Sequence, residues 1–204
     1  MKKVLFFSCF LYALTSSSQT IWKEFKHLEC PHKIWAITHL LKAKKAFIIS
    51  EEANRVTDSI SKTFLLNNNT SGGQLDAFRH AYWMARLHQE IGKNSARKLG
   101  IAHEKSNYLQ YKKKLLEDGE VPDKISSEMD LYNNQIGLTF TRKREIYPKK
   151  GLVFRIINAI LNGEMKIIKK DINGNFLTCN GTIIPKNSLA GSWENNKCLV
   201  NSNR

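Results

Sequence analysis

The chain has 204 residues, of which 42% are apolar, and its formal net charge is +14 at pH 7. That size suits one globular domain with a small additional segment. The charge predicts either a lysine-rich solvated surface or attraction to an anionic envelope surface or polymer. The sequence contains no helix-turn-helix, RNP-like or zinc-finger signature, so we expect no specific nucleic-acid recognition.

The first 18 residues have the pattern of a secretory signal peptide. Lys2 and Lys3 precede an apolar run from Val4 to Leu14, and small residues follow at 16–18. The apolar run is too short to span a bilayer. We therefore expect cleavage near Ser18–Gln19, a secreted or periplasmic location, and no integral membrane segment in the mature chain. No pattern predicts an oligomeric state.

Helical periodicity predicts a mainly α, multi-helix orthogonal bundle over residues 19–163. Apolar residues repeat at helical spacing over 34–41. A further helix is predicted from Ala46 to Lys62, with Glu52 on its exposed face. The polar stretch 67–73 then reads as a loop.

The most informative segment is the next predicted helix, from about Gln74 to Glu90, which is apolar almost all round. Asp76, His80 and Trp83 share one stripe of this helix, and Arg79 lies at the edge of that stripe. A helix without a polar face is usually buried. Burial of a carboxylate, a guanidinium and an imidazole is unfavourable unless they are paired or functional. The pattern therefore predicts a buried polar cluster.

Two later helices are predicted to bring partners to this stripe. One carries His103 with Glu104 beside it, and the other carries Asp130, Asn133 and Asn134. Asparagines are poor helix formers, so the last two favour a hydrogen-bond network or a substrate contact. Networks of this kind are often purely structural.

The residue types in the three helices fit hydrolysis, with histidine as general base and carboxylate, amide or guanidinium groups as orienting or stabilising partners. The predicted catalytic residues are His80, His103, Glu104 and Asp130. The predicted substrate-binding or orienting residues are Asp76, Arg79, Trp83, Asn133 and Asn134. The sequence does not identify a cofactor. If the protein holds a divalent metal, the expected ligands are Asp76, His80, His103 and Asp130.

Several hydrolase motifs are missing from the sequence. Asn107 occupies the place of the second histidine of His-Glu-x-x-His. Ala81 follows His80, where a phospholipase A2 needs aspartate. A Gly-x-Ser-x-Gly elbow and an EF-hand loop are also absent. These motifs therefore assign no reaction.

The sequence pattern changes after residue 163, from helical periodicity to short apolar runs. Asn173-Gly174 and Asn180-Gly181 separate short apolar runs, which predicts a small β-hairpin or meander over 164–204. Cys179 and Cys198 close a short loop, and we expect them to be bonded in an oxidising compartment. Cys30 is left over and is predicted to be a buried thiol. Cys-x-x-Cys is absent, so a structural zinc ribbon has no support.

The site motifs together resemble a known family. They are Gly72-Gly73, Asp76-Ala77-Phe78-Arg79-His80-Ala81-Tyr82-Trp83, Ala102-His103-Glu104, Met129-Asp130-Leu131-Tyr132-Asn133-Asn134 and Gly137. This combination is similar to a family of bacterial secreted proteins classed as a domain of unknown function. The resemblance extends over 31–138. It implies a helical domain and an exported bacterial protein, and it brings no established reaction.

Three functions remain open at this stage. The leading hypothesis is a hydrolase of an envelope or extracellular substrate. The second is a non-catalytic envelope binding protein whose polar cluster only holds the helices together. The third, suggested by charge alone, is an exported toxin. Solvent access separates the first two, because a catalytic cluster must open to a cleft.

Overall fold

The computed structural model describes residues 25–116, 120–189 and 191–204. The predicted signal peptide, residues 1–18, lies outside these ranges. The described chain is mainly helical with a small antiparallel sheet near its C-terminus, which confirms the predicted fold class. Within these ranges, none of the helices has both the length and the apolar character needed to cross a bilayer.

The helices and strands follow one another in a simple order. The helices are α1 (Cys30–Thr38), α2 (Leu40–Ser61), α3 (Gln74–Ile91), α4 (Lys93–Lys112), α5 (Lys124–Gly137), α6 (Lys149–Leu161) and the short α7 (Lys186–Leu189). Strand β1 (Lys166–Ile168) pairs antiparallel with β2 (Leu199–Asn201), with Ile167 opposite Val200.

Helix α3 is the centre of the molecule, as its almost uniformly apolar surface predicted. It packs against α2, α4, α5, α6 and β1. Phe78 and Tyr82 are fully buried on it. Gly92 ends the helix with a φ of +87°, a conformation that suits glycine.

Helices α3 and α5 approach each other backbone to backbone. A Cβ atom at Gly137 would lie 2.5 Å from the carbonyl oxygen of Ala81 and 2.8 Å from its Cα. No real Cβ contact is that short, so only glycine permits this separation. The start of α5 is set by Asp123, whose side chain accepts a hydrogen bond from the Ser126 amide in a capping box.

The C-terminal segment contains the predicted tight turns. A β-bridge joins Lys170 to Phe176 across Asn173-Gly174, and a second joins Leu177 to Ile183 across Asn180-Gly181. The disulfide between Cys179 and Cys198 is present, which confirms that prediction.

The C-terminal segment also packs on the helical body. Ile168 and Phe176 form a small core with Met129 of α5. The Ser202 hydroxyl donates a hydrogen bond to the carbonyl of Ile160, 2.7 Å away at the end of α6.

The prediction for Cys30 was wrong, because this thiol is exposed. Cys30 is the first residue of α1, and the residue of that helix that faces the core is Trp35. A thiol in the first turn, before Pro31, therefore points away from the packed side.

The prediction that Glu52 is exposed was also wrong. Its carboxylate is half-buried and accepts hydrogen bonds from the Tyr82 hydroxyl at 2.8 Å, from Arg86 Nε at 2.8 Å and from Lys149 Nζ at 2.7 Å. Burial raises the pKa of this carboxyl, but these hydrogen bonds outweigh burial and lower the pKa to about 2. Glu52 thus joins α2, α3 and α6.

Because the pKa of Glu52 falls on folding, its ionised form stabilises the protein above the unfolded value of 4.5, and this contribution is lost as pH falls from there towards about 2. We expect Glu52→Gln to lower the free energy of unfolding at pH 7 by about 2 kcal/mol, after allowance for solvent screening. The difference from wild type should shrink below pH 4.5. Urea unfolding at several pH values measures it. The exposed neighbour substitution Glu51→Gln is the control, and an equal, pH-independent loss in both variants would refute the assignment.

Candidate active site

The imidazole of His80 lies between two carboxylates at the contact of α3 and α5. His80 Nε2 is 3.5 Å from Asp76 Oδ1, one turn earlier on α3, and 3.3 Å from Asp130 Oδ1 on α5. All three residues are buried. One ligand atom from each lies within 4.8 Å of the other two, a grouping that can hold a metal ion. We call Asp76, His80 and Asp130 the central triad.

The loop before α3 fixes Asp76. The amide of Gly72 donates a hydrogen bond to Asp76 Oδ2 at 2.7 Å. Ile168 of β1 in turn donates its amide to the Gly72 carbonyl at 2.7 Å. Gly72 has a φ of +74°, and a Cβ there would come within 2.9 Å of Ile168 Cδ1. The C-terminal sheet therefore supports the loop that positions Asp76.

The other ring nitrogen of His80 is held by α5. Asn134 Oδ1 lies 3.2 Å from His80 Nδ1. An amide oxygen only accepts, so Nδ1 carries the proton in this arrangement. Nε2 then faces the two carboxylates either as the second N–H of an imidazolium or with a lone pair able to bind a cation.

Arg79 is the nearest positive group to the central triad. Its Nη2 lies 2.7 Å from Asp76 Oδ1 and 3.4 Å from His80 Nε2. The guanidinium balances part of the carboxylate charge. Arg79 also lines two cavities, one shared with His80 and the other with Asp76 and Asp130.

The larger cavity is a cleft of about 380 Å³. Its polar end contains Arg79, His80 and His103, and the Trp83 ring lies beside them. The opposite wall comes from α1, α2 and the residues before them. It is apolar at Leu28, Trp35, Ala36, Ala43, Ala46, Phe47 and Ala53, and polar at His32, Ser50, Glu51 and Asn54. The central triad is therefore next to a cleft and is not sealed in the core.

The structure brings His103 close to the triad. Its ring centroid lies 5.9 Å from that of His80 and 5.5 Å from that of Trp83. His103 is not part of the group of converging ligand atoms, so the metal grouping contains three of the four predicted ligands.

Glu104 and Asn133 are placed apart from the cleft. Glu104 is buried, accepts a hydrogen bond from Asn107 Nδ2 at 3.3 Å, and lines a different groove with Tyr108. The side-chain oxygen and nitrogen of Asn133 both bind the backbone of Lys166 at 2.9 Å. Asn133 therefore joins α5 to β1, whereas its neighbour Asn134 contacts His80.

Two lysines near the triad, the buried Lys197 and the half-buried Lys170, were not predicted from the sequence. Lys197 Nζ lies 2.7 Å from Asp123 Oδ2 and 3.6 Å from the ring centre of Phe176. Lys170 Nζ donates to the Ser71 carbonyl at 2.9 Å, and burial lowers the pKa of its ammonium. Helical or strand periodicity does not predict burial of either lysine. The only local feature that could have indicated it is that Lys197 directly precedes Cys198, which forms the disulfide.

Lys197 also lines the smaller cavity next to the triad. This cavity, about 20 Å³ in volume, is also lined by Asp76, Arg79, Glu120 and Asp130. A volume of that size holds about one water molecule. The triad carboxylates thus share this cavity with two positive groups, Arg79 and Lys197.

Comparison with known proteins gives one family and no individual relative. The family model described as Domain of unknown function (DUF6973) matches residues 33–164, well over half of the chain. That span includes every residue predicted for the site. Neither the curated proteins nor the solved structures contain a match to this chain. The chain therefore belongs to the DUF6973 family, a domain of unknown function.

Proposed function

We propose that the protein is a hydrolase in which Asp76, His80 and Asp130 hold one divalent cation, and that it acts after export on an envelope or extracellular substrate. The observation that carries the proposal is the convergence of three ligand atoms within 4.8 Å of one another, beside a cleft. The signal-peptide pattern of the first 18 residues supports export.

The donor set suits a catalytic cation. One imidazole nitrogen and two carboxylate oxygens are ligands for zinc, manganese or iron, and three protein ligands leave positions for water and substrate. The contacts around the triad also fit, because Asn134 holds His80 by its other nitrogen and the Gly72 amide holds Asp76 by its other oxygen.

The chemistry follows from this arrangement. A cation held by Asp76, His80 and Asp130 would supply an activated water, and the oxygen of that water would bond to the carbon or phosphorus of an ester, amide or phosphoester. The bond to the leaving oxygen or nitrogen then breaks. His103, at the cleft and 5.9 Å from His80 between ring centroids, takes the proton from water and returns it to the leaving group.

Arg79 has a separate role in this proposal. In the structure it neutralises Asp76 at 2.7 Å. With a divalent cation supplying positive charge to Asp76, the Arg79 guanidinium would be available to stabilise negative charge on the substrate in the cleft. The apolar residues of the opposite wall then accommodate an apolar part of the substrate.

The alternative is an envelope binding protein with a structural cluster. It is favoured by the ion pair of Arg79 with Asp76 and by the contact of His80 with Asp130, which give both carboxylates a partner without a cation. The substitution Arg79→Gln distinguishes the two functions. In a metal centre it removes the guanidinium that competes with the metal for Asp76, so divalent metal binding should tighten. In a structural cluster it leaves Asp76 without its charged partner and lowers the free energy of unfolding by about 1–3 kcal/mol.

The test combines metal binding with hydrolysis. The purified protein is titrated calorimetrically with Zn²⁺ and Mn²⁺, and its hydrolysis of nitrophenyl acyl esters and of bis-nitrophenyl phosphate is measured before and after chelation. We expect one cation per chain, tighter binding in Arg79→Gln, and activity that is lost on chelation and restored by the metal. Absence of cation binding, together with a destabilised Arg79→Gln variant, would contradict the hydrolase and favour the structural cluster.

A further inference from the structure

Helix α1 and the first half of α2 expose an unusual group of large apolar side chains. Ile34 and Ile37 are 58% exposed, Leu40 is 73% exposed, and Leu41 is fully exposed. Ile48 is half exposed. In the part of the chain that the structure describes, this is the densest run of such residues, and we call these five residues the α1/α2 surface. A concentration of exposed large apolar side chains often marks an interaction site.

The α1/α2 surface lies on the outer side of the helices that form the cleft. Trp35 and Ala36 of α1 line the cleft, whereas Ile34 and Ile37 are exposed. Phe47 of α2 likewise lines the cleft. At 3.6 residues per turn, the two sets fall on opposite sides of α1, and on α2 Leu41 and Ile48 lie about 100–120° around the helix from Phe47.

Lysines outnumber acids around this surface. Residues 25–52 contain five lysines and three acids, Glu29, Glu51 and Glu52. Glu52 is already bound to Arg86 and Lys149. Glu29 is paired with Lys113 at 2.6 Å. Lys44 is exposed and lies on the same face of α2 as Leu41 and Ile48, three and four residues away. Exposed apolar residues interspersed with lysines are typical of helices that lie in a membrane interface.

We propose that the α1/α2 surface docks on an anionic phospholipid bilayer. The apolar side chains enter the boundary between headgroups and acyl chains, and the lysines lie at the level of the phosphates. A symmetric contact with a second copy is disfavoured, because it would bring Lys44 and its neighbours against the same positive surface of the partner.

Docking of this surface also bears on the substrate. The cleft wall is the other side of the same two helices, so the bilayer would lie next to an apolar cleft that ends at His80. We infer that the substrate is an amphiphile with an apolar chain. This inference about the substrate rests on the proposed hydrolase, whereas the docking surface stands without it.

Vesicle flotation tests the docking. Phosphatidylcholine vesicles, with and without about 30% phosphatidylglycerol, are mixed with wild type, Leu41→Ser and Lys44→Ser. We expect binding only to the anionic vesicles and weaker binding at high salt. Lys44→Ser should weaken binding about fivefold, the factor that corresponds to about 1 kcal/mol per lysine near an anionic surface. Leu41→Ser should weaken it at least as much.

Two matched control variants carry the same kinds of substitution, an apolar residue to serine and a lysine to serine, outside the α1/α2 surface. Ile172→Ser removes an equally exposed apolar side chain from the C-terminal segment, and Lys186→Ser removes an exposed lysine of α7. Both should bind vesicles as wild type does. The variants are measured in the full chain and in the chain that begins at Gln19, because the apolar run 4–14 can itself bind lipid.

Four outcomes would overturn the docking surface. They are equal losses in the control variants, binding that does not depend on anionic lipid, binding confined to the full chain, and a dimer in light scattering that Leu41→Ser dissociates. A failure of the hydrolase assay with intact vesicle binding would leave the docking surface standing, and it would refute the hydrolase and, with it, the substrate inference.

Discussion

Replacement of His80 by glutamine is expected to abolish cation binding and to lower hydrolysis about a thousandfold, since the cation's Lewis-acid contribution is worth several kcal/mol. Glutamine keeps a polar tip of similar reach, but it is a poor cation ligand and cannot act as a base near neutral pH. His80 supplies the one nitrogen of the central triad, with Nε2 3.5 Å from Asp76 and 3.3 Å from Asp130. Calorimetric titration with the metal and the ester assay give the two readouts.

The melting temperature shows which role His80 has. If the triad is a functional site, the His80→Gln variant should melt at the wild-type temperature or above it, because functional sites commonly sacrifice stability. If the triad is structural, the change removes the contacts of His80 with Asp130 and Asn134, and the free energy of unfolding falls by about 1–3 kcal/mol for each unsatisfied group. A fall of several degrees with unchanged metal binding would therefore refute the metal centre.

Two further histidines serve as comparisons. His88 lies on the same helix, but its Nδ1 is 2.9 Å from the carbonyl oxygen of Leu138, away from the triad. His88→Gln should leave metal binding and hydrolysis unchanged. His103→Gln should keep the cation and lose most of the activity, because His103 lies at the cleft outside the converging ligand atoms.

Replacement of Gly137 by alanine is expected to lower the free energy of unfolding by about 3 kcal/mol. The added Cβ would lie 2.5 Å from the carbonyl oxygen of Ala81, which is backbone and cannot move alone, so α5 must shift away from α3. That shift separates Asp130 from His80. The same variant should therefore also bind the cation more weakly.

Gly151→Ala is the matched control for Gly137→Ala. Gly151 lies in α6, and a Cβ there would meet the Tyr147 ring at 3.3 Å, a side chain that can move. Alanine also favours a helix over glycine, so this variant should be as stable as wild type or slightly more stable. Thermal unfolding of both variants measures the effect, and equal changes in both would show that α3 and α5 tolerate a wider separation.

The sequence predicted those features that local chemistry determines. Helical periodicity identified α3, because apolar side chains on all its faces leave burial as the favourable environment. The same periodicity put Asp76 and His80 on one stripe, since residues four apart lie on the same helix face. The Asn-Gly pairs predicted tight turns because they accept positive φ, as Gly174 and Gly181 do.

The tertiary structure decided which side chains meet across helices. Glu52 looked exposed in the pattern of α2, yet Arg86 and Lys149, distant in sequence, bind it. Asn133 and Asn134 are neighbours with the same chemistry, and only the positions of β1 and α3 assign one to Lys166 and the other to His80. Periodicity orients a side chain about its own helix, but the distance between helices depends on contacts such as that of Gly137 with Ala81, which join residues far apart in the chain.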